Sequence, residues 1–97
     1  MTSEQKTLVL KELRTIPGVG KEISEDLWRI GIRKVSDLKN KNPEELYKTM
    51  CFEQRQEIDR CMLYVLRCAV YYSKTKHPKP SLLLWWNWKD HGVARKK

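Results

Sequence analysis

Phenylalanine occurs once, histidine twice and glycine four times in these 97 residues, and the three cysteines form no Cys-x-x-Cys pair. The cysteine and histidine scarcities each remove a class of protein. An odd number of cysteines, at positions 51, 61 and 68, argues against a disulfide framework and for reduced thiols. A zinc or redox site would need Cys51 and a histidine to converge with Cys61 and Cys68, which the spacing does not advertise; the last two read as small buried residues on the edge of a core face. His77 lies among lysines and prolines and His91 in the C-terminal tail, so neither has an evident orienting carboxylate. The chain is therefore read as non-catalytic, with no metal and no cofactor. No run of about eighteen apolar residues exists and the N-terminal stretch is polar, which predicts a soluble, cytoplasmic protein without a membrane span. The length suits one small domain, placed at residues 1–90, with a basic tail at 91–97.

Negative charge is scarce in one part of the chain only. Residues 1–59 carry 11 Lys/Arg against 11 Asp/Glu, whereas residues 60–97 carry nine cations against Asp90 alone, so the whole excess of +8 falls there. A basic balance raises the expectation of a polyanionic partner, although it also serves solubility.

With so few glycines, two of them stand one residue apart, in Leu13-Arg14-Thr15-Ile16-Pro17-Gly18-Val19-Gly20-Lys21. Proline fixes φ, and the glycines allow positive φ and close approach of another group, so the chain turns tightly between two helices. Ile16 to Gly20 fits the apolar-x-Gly-apolar-Gly pattern of a helix-hairpin-helix. If Gly20 opens a helix, the amides of about residues 20–22 have no intrahelical partner and face outward, where a nucleic-acid phosphate can accept from them. Lys21 adds a charge-assisted contact, and such a site positions a duplex without reading its bases. Gly18, Val19, Gly20 and Lys21 form this candidate anion site; the bland alternative is a tight corner between helices and nothing more. Glu22, Glu25 and Asp26 suit the helix dipole but oppose a phosphate docked at the same end.

The hairpin is preceded by a helix over residues 3–14, capped by Thr2 or Ser3, and followed by one over 21–30 with Gly31 as its C′ residue. Ile32, Val35 and Leu38, with Ser36 as cap, predict a short helical turn. Asn42-Pro43-Glu44-Glu45 then opens another helix, with Asn at the N-cap, Pro at N1 and Glu at N3, and with Leu46 and Met50 inward. If a second hairpin unit exists it falls near Met50-Cys51-Phe52-Glu53, where no glycine is present, so it is degenerate and does not hold a phosphate in the same way. From about residue 54 to 74 the spacing predicts one long helix. Its core seam is Ile58, Met62, Val65, Ala69 and Tyr72, flanked by Leu63, Leu66 and Val70. Arg60, Tyr64, Arg67, Tyr71 and Lys74 fall opposite, as a cationic aromatic stripe that either lies along a phosphate backbone or is a solvated face. Residues 74–80 form an extended connector. Leu82-Leu83-Leu84-Trp85-Trp86-Asn87-Trp88 folds back onto the Leu63 and Val70 flank, or else remains as a partner-binding patch.

Three stretches together carry a resemblance: the hairpin, Asp59-Arg60-Cys61-Met62-Leu63-Tyr64-Val65-Leu66-Arg67-Cys68-Ala69-Val70-Tyr71-Tyr72, and Trp85-Trp86-Asn87-Trp88-Lys89-Asp90. They resemble the small bacterial "pathogenicity locus" family, described as helix-hairpin-helix proteins, some with a mitomycin-resistance label. The resemblance covers nearly the whole chain and implies a compact all-α fold and a DNA-associated role, in repair or maintenance; it carries over no biochemical activity. Ser24 stands where such hairpins usually place alanine. The combined expectation is an all-α helix-hairpin-helix domain of about five helices with a long C-terminal helix and a Trp-rich closing segment. It binds double-stranded DNA weakly and non-specifically through Gly18, Val19, Gly20 and Lys21, with Arg60, Arg67 and Lys74 as a secondary basic surface. The competing reading is a protein-protein adaptor using the Trp-rich segment or the Tyr/Arg stripe.

Overall fold

Local capping signals set most of the helix ends. In the computed structural model, which describes residues 2–89, the four α-helices are α1 (Ser3–Leu13), α2 (Lys21–Arg29), α3 (Pro43–Gln54) and α4 (Cys61–Lys74). Short 3-10 turns occupy Val35–Leu38, Pro80–Leu83 and Trp85–Trp88, and no strand occurs among the described residues. Nor is any helix among them long and apolar enough to cross a membrane. Thr2 opens α1 through a reciprocal cap with Gln5, each side chain accepting from the other's amide at 3.1 and 3.0 Å. Asn42 opens α3 by accepting from the amides of Glu44 and Glu45, with Pro43 in the first turn.

Between α1 and α2 the Val19 amide donates to the Ile16 carbonyl at 3.0 Å, with Pro17 and Gly18 at the two central positions of the turn. Gly18 has φ +86°, the conformation a type II turn demands at its third residue. Helix α2 ends as its Gly31 predicts. The Ile32 amide reaches the Leu27 carbonyl at 3.0 Å and the Gly31 amide the Trp28 carbonyl at 3.1 Å, with Gly31 at φ +98°.

The expected helix over 54–74 is two elements. Helix α3 continues through Met50-Cys51-Phe52-Glu53, where any second corner would fall, and stops at Gln54; the chain turns over residues 55–60 before α4 begins. Tertiary hydrogen bonds hold this turn. The Tyr47 hydroxyl donates to the Ile58 carbonyl, and the Ile58 amide donates to Cys51 Sγ at 3.5 Å. Asp59 Oδ1, one residue before the N-cap Arg60, accepts from the Cys61 amide at 2.8 Å, the first amide of α4. Arg55 adopts left-handed φ 54° just past α3, where glycine is the usual occupant. Arg55→Gly is expected to stabilise the protein by about 0.5–1 kcal/mol, the relief of backbone strain less the extra freedom of the unfolded chain. Chemical denaturation of the two proteins checks it, and no gain in the variant would mean that Arg55 itself holds the turn.

Helix α4 is the centre of the packing. Leu63, Val65, Leu66, Cys68, Ala69 and Val70 are all buried, because α3, Val35–Leu38 and the segment carrying both later 3-10 turns surround it. The Trp-rich stretch thus closes onto α4, as its hydrophobicity predicts. The core joins Leu13, Ile16, Val19 and Leu27 of α1, the turn and α2 to Leu46 and Met50 of α3 and to α4. Glu12 ties the layers at the surface by accepting from the Val35 amide at 2.8 Å, a cap supplied from another helix.

Candidate nucleic-acid interface

The corner's two glycines have different reasons to be there. Gly18 is fixed by its positive φ, and a Cβ placed on it would lie 3.4 Å from Cδ1 of Trp85. Gly20 has φ −101° and ψ −161°, which any residue adopts, and nothing lies within 4 Å of where its Cβ would be. It is nonetheless the N-cap of α2, and no side chain caps this helix. The first intrahelical bond is donated by the Ser24 amide to the Gly20 carbonyl, so the amides of Lys21, Glu22 and Ile23 precede the helical ladder. Gly20 and Lys21 are exposed, whereas Val19 is core. Ser24 lies fully buried behind them, its hydroxyl donating to the Lys21 carbonyl at 2.8 Å, so its polarity is satisfied locally.

Two of the three neighbouring carboxylates are held by other side chains. Glu25 pairs with Lys6 at 3.3 Å, and Asp26 accepts from Arg29 and from Gln54, each at 3.0 Å. With Lys21, Arg29 and Gln54, the residues Glu22, Glu25 and Asp26 line an open groove of about 500 Å³ beside the corner. Burial raises the Asp26 carboxyl above its ordinary range; Arg29 pulls it down, and Glu22, Glu53 and Glu25 push it up again. A carboxyl that holds its proton more tightly when folded loses stability as pH rises through the folded pKa, and the gain is complete only below the unfolded value near 3.8. Asp26→Asn keeps an acceptor for Arg29 and Gln54, so it is expected to raise the melting temperature near neutral pH. That advantage should vanish in acid, where the wild-type group is itself neutral. Melts at both pH values check the sign, and an advantage that grows on acidification would reject the assignment.

The three cations of the expected secondary surface are not one patch. Arg60 lies in the turn before α4 and Lys74 at its last residue, so the helix, roughly 20 Å long, separates them. Both are exposed. Arg67 is half-buried and donates to the Trp88 carbonyl at 2.8 Å, with its guanidinium 5.7 Å from the Tyr64 ring. Tyr71 packs on Trp88 with centroids 5.4 Å apart and accepts from the Lys79 amide at 2.9 Å. The middle of the stripe therefore holds the closing segment in place. Two features carried no sequence signal: Lys6 and Arg33 both sit 4.4 Å from the Trp28 ring, and Trp85 lies against Gly18.

Of the two thiols expected at the core edge, one is placed differently. Cys68 is buried and its thiol is pushed up by that burial, but Cys61, expected at the core edge, is exposed at the start of α4. Asp59, hydrogen-bonded to Cys61, raises that thiol too, which disfavours a nucleophilic thiolate. No group of three or more His, Cys, Asp or Glu positioned for a metal ion occurs among the described residues. His77 is exposed in the connector; His91 and the basic tail at 91–97 lie outside the described residues.

These features define an all-helical protein of two helix pairs, in which a glycine corner is backed by a tryptophan from the closing segment. Residues 6–96 match the family described as pathogenicity locus, Cdd1, and the chain belongs to that family. It is 30% identical over 77 residues to the "Mitomycin resistance protein McrB" of Streptomyces lavendulae, an alignment spanning 79% of this chain and 70% of that protein. No solved structure matches.

Proposed function

We infer that the protein is a non-catalytic helix-hairpin-helix protein that binds the backbone of duplex DNA without sequence specificity. Gly20 is the observation that carries this reading. Neither its φ nor any neighbour requires glycine, and a Ser, Thr, Asp or Asn there would cap α2 with its own side chain. Glycine leaves the first-turn amides to an acceptor from outside and lets that acceptor approach the backbone closely. Lys21 is exposed beside them and supplies the charge-assisted contact. Arg60 and Lys74 are more distant cations that favour a polyanion in general. A soluble cytoplasmic protein serving DNA repair or maintenance belongs to the same proposal; the relative's name, mitomycin resistance, is compatible with it.

Fluorescence anisotropy of labelled duplex across a salt series, comparing wild type with Lys21→Glu and Gly20→Asp, tests the reading. Backbone contacts release counterions, so affinity should fall steeply with salt and be weakest in the two variants. One observation favours an adaptor instead: Phe52 on α3 is 84% exposed. Binding to a protein through such a side chain would hardly respond to salt.

A further inference from the structure

The closing segment leaves one indole in solvent beside the corner. Trp85 faces Gly18, Trp88 packs on Tyr71, and Trp86 stands edge-on to Trp85 with ring centroids 5.7 Å apart and 48% of its surface exposed. Leu84, on the same short segment, is 39% exposed. The segment is held firmly from within and from below. Asn87 Nδ2 donates to the Ser81 carbonyl at 2.6 Å, Trp88 Nε1 to the Leu82 carbonyl at 2.8 Å, and Arg67 to the Trp88 carbonyl. An aromatic face on a braced backbone costs little entropy when it takes a flat partner.

We propose that Trp86 stacks an unpaired base of a DNA strand whose phosphate is held at the Gly20–Lys21 corner, so that the preferred ligand is a junction of duplex and single strand. The assignment rests on the hairpin reading for the position of the strand, and on Trp86 for the base. Residues 60–89, which include this segment, carry six Lys/Arg and no carboxylate, which favours a polyanion over a basic protein surface. The chain from Gly18 through Trp85 to Trp86 places the indole within the reach of a nucleotide or two from the corner. Stacking of a base on an aromatic side chain tolerates any sequence, which agrees with a protein that holds the backbone.

The test uses the full chain and anisotropy with two fluorescein-labelled probes, a blunt duplex and the same duplex with a single-stranded thymidine overhang. Wild type should prefer the overhang probe by about five- to about 150-fold, the range that one stacked base supplies. Trp86→Ala should bring the overhang affinity down to the blunt level, while Trp86→Phe should retain most of the preference. Lys21→Glu should weaken both probes. Equal affinity of wild type for the two probes, or a preference that survives Trp86→Ala, overturns the stacking assignment and leaves the hairpin reading standing. An overhang preference that depends on Trp86 but ignores Lys21→Glu and Gly20→Asp instead removes the hairpin as the anchor. If the only event that depends on Trp86 is self-association or capture of a protein, the surface belongs to a protein partner and the base assignment fails.

Discussion

Gly20→Asp is expected to leave the melting temperature unchanged or slightly raised while lowering affinity for duplex DNA by about tenfold to about a hundredfold at low salt. The two effects have opposite signs for one physical reason. Position 20 has extended backbone, φ −101°, and open space at its Cβ, so aspartate enters without strain. Its carboxylate then caps the first-turn amides of α2 and suits the helix dipole. The same carboxylate occupies the donors a phosphate would use and repels it. Lys21→Glu should reproduce the loss of binding without the added cap. Circular dichroism melts and anisotropy on the same preparations separate the terms. A folded Gly20→Asp protein that binds as wild type does would remove the corner from the interface.

Leu66→Ala is expected to cost about 2–5 kcal/mol, a large share of the roughly 5–15 kcal/mol that holds a domain folded. For a chain of this length the melting temperature should drop by roughly 10–30 °C. Leu66 is fully buried on α4, the helix against which α3, the Val35–Leu38 turn and both C-terminal 3-10 turns pack. A cavity there is bounded by several elements at once, so no single one can collapse to fill it. Leu8, 66% exposed on α1, supplies the comparison: its truncation should change stability by no more than about 0.5 kcal/mol. Thermal and urea melts check both, and equal effects at the two positions would mean that α4 is not the centre of the core.

What could be read from the residues was what neighbouring residues decide. The Asn42-Pro43-Glu44-Glu45 start, the Gly31 stop and the Pro17-Gly18 turn each depend on side chains within a few positions, and each is found in the structure. The break at 55–60 was not legible, because the apolar spacing continues across it and neither glycine nor proline marks it. It is fixed by Tyr47 and Cys51 acting on Ile58 from the preceding helix. Only Asp59, a competent cap three residues before the inward Met62, pointed toward a helix start there. In the sequence the Tyr/Arg stripe reads as an exposed face for a related reason. Its cover is the Trp88 backbone and ring, 21 residues beyond Arg67 in the chain. Of the candidate anion site, the corner's shape and the exposure of Lys21 were legible, whereas the redirection of Glu25 and Asp26 toward Lys6, Arg29 and Gln54 needed three dimensions.

Trp85 and Gly18 meet across 67 positions of chain. A ribosome adding about 5–20 residues per second therefore emits α1 and α2 several seconds before the indole that backs their corner. Until then one flank of the glycine turn is bare, and the nascent protein lacks the support against which its loop is set. Maturation of this corner is consequently a late event in biosynthesis, controlled by the arrival of a segment that shares no local sequence with it.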